Sequence, residues 1–200
     1  MRVLPMGIDA VIVEAPHAMP AAWALGLRGL DLPGVVDVVP AAETVLVRCS
    51  DEASLRNVLD RLDEVVPVPV STAVGTVTID VLYDGEDLGA VAEASGLDAD
   101  GVARLHAGTD YRVAFCGFAP GFGYLTGLPD ALQLPRRASP RTRVPAGAVA
   151  IAASYTAVYP RSSPGGWHLI GTTEHVLFDV ERDPPAVLQP GTTVRFRQIT

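Results

Sequence analysis

The sequence predicts an α+β protein in two parts: a small α/β sandwich-like N-terminal domain, then a domain built from short β-strands. Three observations predict this. Up to about residue 65, β-branched runs alternate with apolar residues at helical spacing. Residues 66–75 then hold two prolines and a closing glycine, which is typical of a linker. Beyond Tyr111, helical periodicity gives way to short apolar runs separated by glycine and proline. We therefore expect domains at residues 1–68 and 76–200.

The N-terminal domain is predicted to have the order β-α-β-β-α. Trp23 and Leu27 lie at helical spacing in the first helix, and the Pro33-Gly34 pair follows its end. Ser50 precedes two acidic residues and is predicted to cap the second helix. The other predicted elements are strands at Gly7–Glu14, Val35–Val39 and Thr44–Arg48 and a helix at Met19–Leu30.

The C-terminal part is predicted to begin with a strand at Thr76–Tyr83 and two short helices at Glu86–Ser95 and Asp98–Ala107. Many short strands with turn residues between them follow, which favours an antiparallel barrel or a sandwich. These strands are predicted at Arg112–Cys116, Val149–Ala153, His168–Gly171, Val176–Asp179 and Val194–Gln198.

Composition excludes several classes of function. The 200-residue chain has a formal net charge of −8, so nucleic acid and anionic membrane surfaces are not expected as partners. It has no apolar run of the roughly 18 residues that suggest a membrane span, and its N-terminus does not resemble a signal peptide. Cys49 and Cys116 lie in strand-like runs and are expected to be buried free thiols. We expect a soluble, cytoplasmic protein.

The chain has no lysine, and all 15 of its Lys and Arg residues are arginine. This excludes a phosphate-loop lysine, a lysine Schiff base and a Ser-Lys nucleophile pair. It also excludes attached biotin or lipoyl groups, since both are carried on lysine. No spacing of His, Cys, Asp and Glu resembles a metal cage, so we expect no metal site in this chain.

The arginines concentrate in one segment. Between Val113 and Thr173, five arginines face a single acid, Asp130, so the segment carries +4 and the remainder −12 of the net −8. Arginine matches the geometry of carboxylates and phosphates, which makes the segment a candidate anion site. A solvated basic face or a subunit interface would give the same pattern. Arg141 and Arg143 would share a face in an extended chain and could grip one anion.

An aromatic and glycine-rich loop lies in the same region. Phe118 to Pro129 reads Phe-Ala-Pro-Gly-Phe-Gly-Tyr-Leu-Thr-Gly-Leu-Pro. Glycine lets the backbone approach a ligand closely and aromatic rings form a wall, although a packed structural loop has the same composition. The loop is neither a phosphate loop nor a dinucleotide fingerprint, because the required lysine and glycine spacing are missing.

Three segments in order carry a resemblance to a known family: Phe118 to Pro129, Pro135 to Gly147 and Tyr159 to Gly171. They resemble the B subunit of the bacterial ATP-dependent 5-oxoprolinase, a family also known as allophanate hydrolase subunit 1 and as an inhibitor of a sporulation histidine kinase. The same module occurs in the carboxyltransferase region of urea carboxylase. The resemblance implies a small α+β N-terminal domain and a cyclophilin-like β-barrel C-terminal domain.

The resemblance also implies a function. The family member is one component of an enzyme that opens the lactam of 5-oxoproline to L-glutamate at the expense of ATP, together with larger subunits. ATP, with Mg, is expected to be bound by the assembled complex. Arginines would hold the carboxylate of the lactam or the transferred phosphate. Because the chain has no phosphate loop and no evident nucleophile, we expect it to be inactive alone.

The candidate site residues are drawn from the three segments and the strand between them. Candidates for catalysis are Arg141, His168 and Tyr159. Candidates for binding substrate or ATP are Phe118, Pro120, Gly121, Tyr124, Arg136, Arg143, Thr156, Gly165, Gly166 and Trp167. His168 could relay a proton, contact a ligand or be structural. His106, on a helix before Gly108, is expected to be a cap or packing residue.

The sequence departs from the family pattern at three places. Phe122-Gly123-Tyr124 stands where Phe-Pro-Tyr is usual, and Ala153 to Ala157 where Gly-Gly-Gln-Thr-Gly is usual. Thr172 stands where an arginine is usual. The changes at Tyr155 and Thr172 remove two polar groups from the expected pocket, which bears on the substrate.

Two other functions share this sequence pattern. One is the inhibition of a sensor histidine kinase, with the barrel pocket holding a loop. The other is participation in a carboxyltransferase or amide-hydrolysing complex. Ser162 and Ser163 lack a nucleophile elbow, and without lysine they cannot form a Ser-Ser-Lys amidase triad.

Overall fold

The computed structural model describes residues 1–15, 20–70 and 75–200, and the chain divides into two compact units, Met1–Ser71 and Thr72–Thr200. Helices and strands are present in both, so the predicted α+β class is confirmed. Met19, predicted to begin the first helix, and the last part of the predicted linker lie outside the described residues. None of the described helices is both long enough and apolar enough to span a membrane.

The first unit is an antiparallel four-stranded sheet in the order β1-β2-β4-β3, with helices packed on one face. Along strand β4, every second side chain is buried: Val45, Val47 and Cys49. These three pack in one core with Trp23 of the first helix and Val58 of the second. The elements are β1 (Val3–Pro5), β2 (Ala10–Glu14), α1 (Pro20–Gly29), β3 (Val35–Pro40), β4 (Thr44–Cys49), α2 (Glu52–Asp60) and a 3-10 turn (Leu62–Glu64).

Two details of this unit differ from the sequence-based prediction. Strand β1 was not predicted, because three residues are too few to show a period. The cap predicted at Ser50 is wrong: Asp51 caps α2, and its Oδ1 accepts a hydrogen bond from the Ser54 amide at 2.8 Å. Ser50 instead donates its hydroxyl proton to the other oxygen of Asp51.

The second unit contains a closed seven-stranded barrel with strand order β10-β7-β6-β13-β5-β12-β9. The sequence predicted either a barrel or a sandwich, and the structure is a barrel. Its pairs are antiparallel except β5 with β13, which run parallel. The elements are β5 (Thr76–Leu82), α3 (Leu88–Ser95), α4 (Ala99–Ala107), β6 (Asp110–Cys116), β7 (Gly123–Thr126), a 3-10 turn (Asp130–Leu132), β8 (Arg141–Val144), β9 (Ala148–Ala152), β10 (Tyr155–Val158), β11 (Ser163–Gly165), β12 (His168–Thr172) and β13 (Thr193–Ile199).

A two-stranded ladder of β8 and β11 accompanies the barrel. The strand predicted at Val176–Asp179 is wrong, because this segment makes only an isolated bridge between Phe178 and Ala186. Cys49 is buried as expected, whereas Cys116 is only partly buried; both are free thiols.

The barrel core holds one buried polar chain centred on His106, which lies on α4 and is fully buried. Its Nε2 lies 2.9 Å from Thr156 Oγ1 and its Nδ1 lies 2.7 Å from the Tyr83 hydroxyl. Thr156 in turn donates to the Ala150 carbonyl at 3.1 Å. Burial lowers the pKa of His106 to about 3. This histidine is therefore a neutral packing residue, as expected from the sequence.

Candidate functional site

A second apolar layer lies on the outer face of β9 and β10, opposite the barrel core. Along β9, Val149 and Ile151 belong to the barrel core, whereas the alternating alanines belong to a separate cluster. These small side chains leave room for the rings of Phe122, Tyr159 and Trp167. The rings of this cluster meet edge to face, with centroids 5.3 Å apart for Phe122 and Tyr159 and 5.7 Å for Phe122 and Trp167. The alanine side chains of β9 therefore form one side of the aromatic cluster.

The aromatic loop folds onto this cluster through a tight turn. The Phe122 amide donates to the Ala119 carbonyl at 3.0 Å, and the Gly117 amide to the Phe122 carbonyl at 3.2 Å. Phe118 has φ of 68°, a conformation that a bulky residue rarely adopts, and its side chain is 59% exposed. Gly121 has φ of 81°, and a Cβ there would lie 2.7 Å from Phe178 Cβ. The turn therefore requires glycine at one position and holds an exposed phenylalanine at another.

A cavity of about 190 Å³ opens beside the aromatic cluster. It brings together residues of all three sequence segments that were singled out. Its lining residues are Phe118, Phe122, Tyr124, Arg136, Pro140, Tyr159, Pro164, Gly165, Gly166 and Trp167. Seven of the predicted site residues are among them, so residues far apart in sequence meet at one concave surface.

Two tyrosines supply hydroxyl groups to the lining. Neither the Tyr124 nor the Tyr159 hydroxyl forms a hydrogen bond with another described residue. Burial raises the pKa of both hydroxyls, and the charge of Arg136 partly offsets this. Both groups are therefore protonated at neutral pH and available as hydrogen-bond donors.

Arg136 is the cation of the lining. It is exposed, and within residues 1–15, 20–70 and 75–200 its guanidinium forms neither a hydrogen bond nor an ion pair. The fork of an arginine carries several N–H donors that match a carboxylate. A positively charged, unpaired arginine at the edge of an aromatic cavity can therefore hold a small anion.

Arg137 and Arg141 have a different role, because both bind the buried carboxylate of Asp87. Arg137 donates to Asp87 Oδ1 at 2.5 Å and Arg141 donates to the same oxygen at 2.9 Å. Arg141 also donates twice to Glu86, at 3.0 and 3.2 Å. Its side chain is only 16% exposed and lies outside the cavity lining. Arg141 and Arg143, predicted to grip one anion, have different partners in the structure, since Arg143 donates to Ser162.

Asp87 is held as an anion by these contacts. Burial would raise its pKa, but hydrogen bonds from Arg141 and the Leu169 amide, with the charges of both arginines, lower it overall. The Leu169 amide donates to Oδ2 at 2.7 Å, so both oxygens are bonded. The pair of acids before α3 thus neutralises two of the five arginines that the sequence presents as a basic cluster.

The remaining predicted site residues lie outside the cavity lining. Arg143 donates to Ser162 Oγ at 3.2 Å on the surface, and Thr156 faces the barrel core and His106. His168 Nε2 donates to the Pro135 carbonyl at 2.9 Å. This bond holds the backbone directly before Arg136 and Arg137. Pro120 and Gly121 shape the turn of the aromatic loop. The structure therefore brings seven of the predicted residues together and separates six.

Sequence reasoning missed several residues of this region. Phe122, Pro140 and Pro164 line the cavity, and all three stand inside the segments already singled out. Asp87 and Glu86 gave no sequence signal, because their arginine partners are 50 or more positions away along the chain. Only the barrel topology brings α3 next to β8.

Two other cavities also contain arginines, but these are engaged. In a cavity of about 480 Å³ along β13, Arg195 and Arg197 pair with Asp110 and Asp80 at 2.7 and 2.6 Å. In one of about 210 Å³ in the first unit, Arg28 donates to the Val38 carbonyl. The aromatic cavity differs because its arginine has neither a hydrogen bond nor an ion pair with any residue that the structure describes.

Comparison with known proteins identifies the family. Residues 1–188 match the family described as carboxyltransferase domain, subdomain C and D. The chain is 40% identical to the B subunit of 5-oxoprolinase from Escherichia coli, over 96% of this chain and 93% of that protein. It is 36% identical to the corresponding 5-oxoprolinase component of Haemophilus influenzae, over 98% and 97%. This chain belongs to the family of 5-oxoprolinase B subunits.

Solved structures share the fold of this 5-oxoprolinase family member. The crystal structure of TTHA0988 matches with a TM-score of 0.80 and 37% identity over 96% of this chain, which spans only 40% of that longer chain. Urea carboxylase of Kluyveromyces lactis matches with a TM-score of 0.73 at 16% identity, over 96% of this chain and 21% of that one. The second match shows the fold alone.

The places where this member of the 5-oxoprolinase family departs from the family pattern lie outside the cavity lining. Thr172 donates to Asp84 Oδ1 at 2.8 Å, and Tyr155 packs against the aromatic cluster. Ala153 begins the two-residue turn between β9 and β10 with φ of 50°, where the family pattern has glycine. None of the ten residues that line the cavity is at a departing position.

Proposed function

We propose that this protein is one component of an ATP-dependent 5-oxoprolinase, which opens 5-oxoproline to L-glutamate in the cytoplasm together with larger subunits. The observation that carries the proposal is the 40% identity to the 5-oxoprolinase component of Escherichia coli, over nearly the full length of both chains. We also take the seven-stranded barrel to be cyclophilin-like, as the family resemblance implies.

The lining of the cavity supports a role that depends on partner subunits. Its titratable groups are Arg136, Tyr124 and Tyr159, and both hydroxyls have a raised pKa. Opening a lactam by water requires a group that takes a proton, usually a carboxylate or an imidazole within hydrogen-bond reach. The cavity lining has neither. It supplies donors that bind and orient, and in this proposal the group that takes the proton comes from a partner.

The residues of this chain do not fit a nucleotide with its metal ion. A triphosphate site uses several cations or a loop of backbone amides, and the chain has no lysine while Arg137 and Arg141 are engaged by Asp87. No group of three His, Cys, Asp or Glu side chains among the described residues could hold a metal ion. We therefore assign ATP and Mg to the partner subunits in this proposal.

The test is 5-oxoproline-dependent release of ADP. The chain is assayed alone, then mixed with larger 5-oxoprolinase subunits. We expect activity only in the mixture. A stable complex that releases no ADP in response to 5-oxoproline would contradict the proposed substrate, and activity of the chain alone would contradict the need for partners. Failure to form any complex would favour the regulatory role that the sequence left open.

A further inference from the structure

The lining of the aromatic cavity contains one cation, Arg136. Of the three arginines at positions 136, 137 and 141, two are matched by the carboxylates of Asp87 and Glu86. Arg136 is left unpaired within the described part of the chain. One uncompensated guanidinium suits a single carboxylate, whereas a nucleoside triphosphate would bring several negative charges.

The size of the cavity points the same way. Its volume of about 190 Å³ is below the ~300–1,000 Å³ of pockets that take drug-sized ligands. It has room for one small ring with a substituent. The walls are aromatic rings and prolines, which favour an apolar ring over a flexible polar chain.

The two tyrosine hydroxyls provide polar contacts for such a ring. Both face a lining that otherwise offers apolar surface, and both remain protonated donors. Gly165 lies directly against the Tyr159 hydroxyl, since a Cβ there would come within 2.9 Å of Tyr159 Cζ and nearer still to the oxygen. The absence of a side chain at Gly165 therefore leaves room for the Tyr159 hydroxyl at the cavity lining, where Tyr159 as a whole is only 2% exposed.

We infer that this cavity binds a ring-sized monocarboxylate, with Arg136 on its carboxylate and the Tyr124 and Tyr159 hydroxyls on its other polar atoms, and that it excludes the nucleotide. The identity of this ligand as 5-oxoproline rests on the proposed function. The lactam would then bind to this chain, at a site separate from that of ATP.

Trp167 gives a direct readout, because it lines the cavity and is one of only two tryptophans in the chain. We would titrate the full chain with 5-oxoproline and follow tryptophan fluorescence. Arg136→Gln should weaken binding roughly tenfold or more, since it removes a charge-assisted fork. Arg161→Gln is the matched control: Arg161 is exposed in the same basic segment but lies outside the lining, so its Kd should stay within about twofold.

Two further probes separate the carboxylate from the ring. 2-Pyrrolidinone, which has the lactam ring without the carboxylate, should bind roughly tenfold or more weakly, and Arg136→Gln should not affect it. ATP should neither change the fluorescence nor displace 5-oxoproline. ATP binding that depends on Arg136, or a 5-oxoproline Kd unchanged by Arg136→Gln, would overturn the inference.

The experiment also distinguishes failure of the inference from failure of the proposed function. Binding of cyclopentanecarboxylate that depends on Arg136, without binding of 5-oxoproline, would support the carboxylate site and contradict the proposed substrate. If the chain alone responds to none of these probes, the same variants are measured in the assembled complex. There, a raised KM for 5-oxoproline with an unchanged KM for ATP supports the inference, and an unchanged KM for 5-oxoproline overturns it.

Discussion

Asp87 connects the arginine segment to the barrel. Its carboxylate is 4% exposed and accepts hydrogen bonds from Arg137, Arg141 and the Leu169 amide. A buried carboxylate that loses a donor keeps its desolvation penalty, which is why such bonds are costly to remove. The position of the cavity wall at Arg136 and Pro140 therefore depends on an acid that does not line the cavity.

Replacing Arg141 with glutamine should lower the free energy of unfolding by about 1–3 kcal/mol, because a buried charged group loses a partner. Urea denaturation at pH 7 measures this. Arg143→Gln is the control, since Arg143 bonds only to Ser162 on the surface among the described residues, and its effect should stay within about 0.5 kcal/mol. Equal stability of the two variants would show that Arg141 is not structural, and would revive the sequence-based expectation that it acts on a ligand.

His106 makes the stability of the barrel depend on pH. The Thr156 hydroxyl donates to the Ala150 carbonyl, so it accepts from His106 Nε2, and Nδ1 accepts from Tyr83. Both ring nitrogens of neutral His106 then have a hydrogen-bond partner. Burial lowers the pKa of His106 to about 3 in the folded protein, whereas an unfolded chain titrates near ~6.5.

The folded-state pKa is depressed, so the stabilising contribution of neutral His106 is complete above the unfolded pKa. It is lost progressively as the pH falls from about 6.5 toward 3, because the unfolded chain takes up a proton that the folded chain does not. Urea unfolding at several pH values should show this slope in the wild type. His106→Gln should be less stable at pH 7 but have a shallower slope. An unchanged slope in His106→Gln would contradict the assignment.

At the scale of elements, two neighbouring glycines next to the cavity have different requirements. Gly165 ends β11, where a Cβ would collide with the Tyr159 ring, whereas a Cβ at Gly166 would meet its nearest atom at an ordinary 3.6 Å. The first glycine is required by the tyrosine and the second is not. The sequence motif alone treats both alike.

Gly165→Ala should displace Tyr159, narrow the cavity and lower the free energy of unfolding by about 1–3 kcal/mol through overpacking. Gly166→Ala is the matched control, for which we expect a change within about 0.5 kcal/mol. Thermal unfolding of both variants checks the change in stability, and 5-oxoproline titration of Gly165→Ala checks the narrowing of the cavity. Similar losses in the two variants would mean that the Tyr159 ring can move aside, and that it is not fixed by β11.

Element prediction succeeded where local chemistry marks the element. Helix α4 begins after its N-cap Asp98, whose side chain accepts a hydrogen bond from the Gly101 amide. Helix α3 ends at Gly96, which has the left-handed conformation. Both boundaries can therefore be predicted from the sequence. Strands β7, β8, β10 and β11 have only three or four residues each, which is too few for a period of two to show. Their positions follow from pairing with distant strands, which a local pattern does not contain.

Prediction of the site followed the same division. Composition points to the aromatic loop and the family resemblance to the segment from Tyr159 to Gly171, and residues of both line the cavity. Arg141, from the segment Pro135 to Gly147, and Thr156, from the strand between the segments, instead face Asp87 and the barrel core. Which side of a strand a residue faces, and which distant acid it meets, are decided by the closed barrel.

At the scale of the whole molecule, each unit has its own hydrophobic core. The first unit packs around Trp23 and Val47, and the barrel unit around two clusters that include Ile151 and Trp167. Every described residue of the cavity lining belongs to the barrel unit. The cavity lining is therefore supplied by that part of the chain.

A fragment of residues 75–200 should fold on its own, because its core consists of its own residues and its length is typical of independent domains. We expect a cooperative unfolding transition and the same tryptophan response to 5-oxoproline as in the full chain. Circular dichroism and fluorescence provide the measurements. A fragment that lacks cooperative unfolding would show that residues 1–68 and 76–200 are not independent domains.

The place of β13 in the barrel has a consequence for how the protein is made. This strand comes last of the seven in the sequence, yet it lies between β5 and β6, the first two. A ribosome therefore produces every other barrel strand before the strand that joins the two earliest ones. Until Thr193–Ile199 emerges, β5 and β6 each present an unpaired edge, the kind of surface that recruits other chains. Synthesis of this protein thus includes an interval, ended only by its last strand, in which protection of those edges has to come from outside the chain.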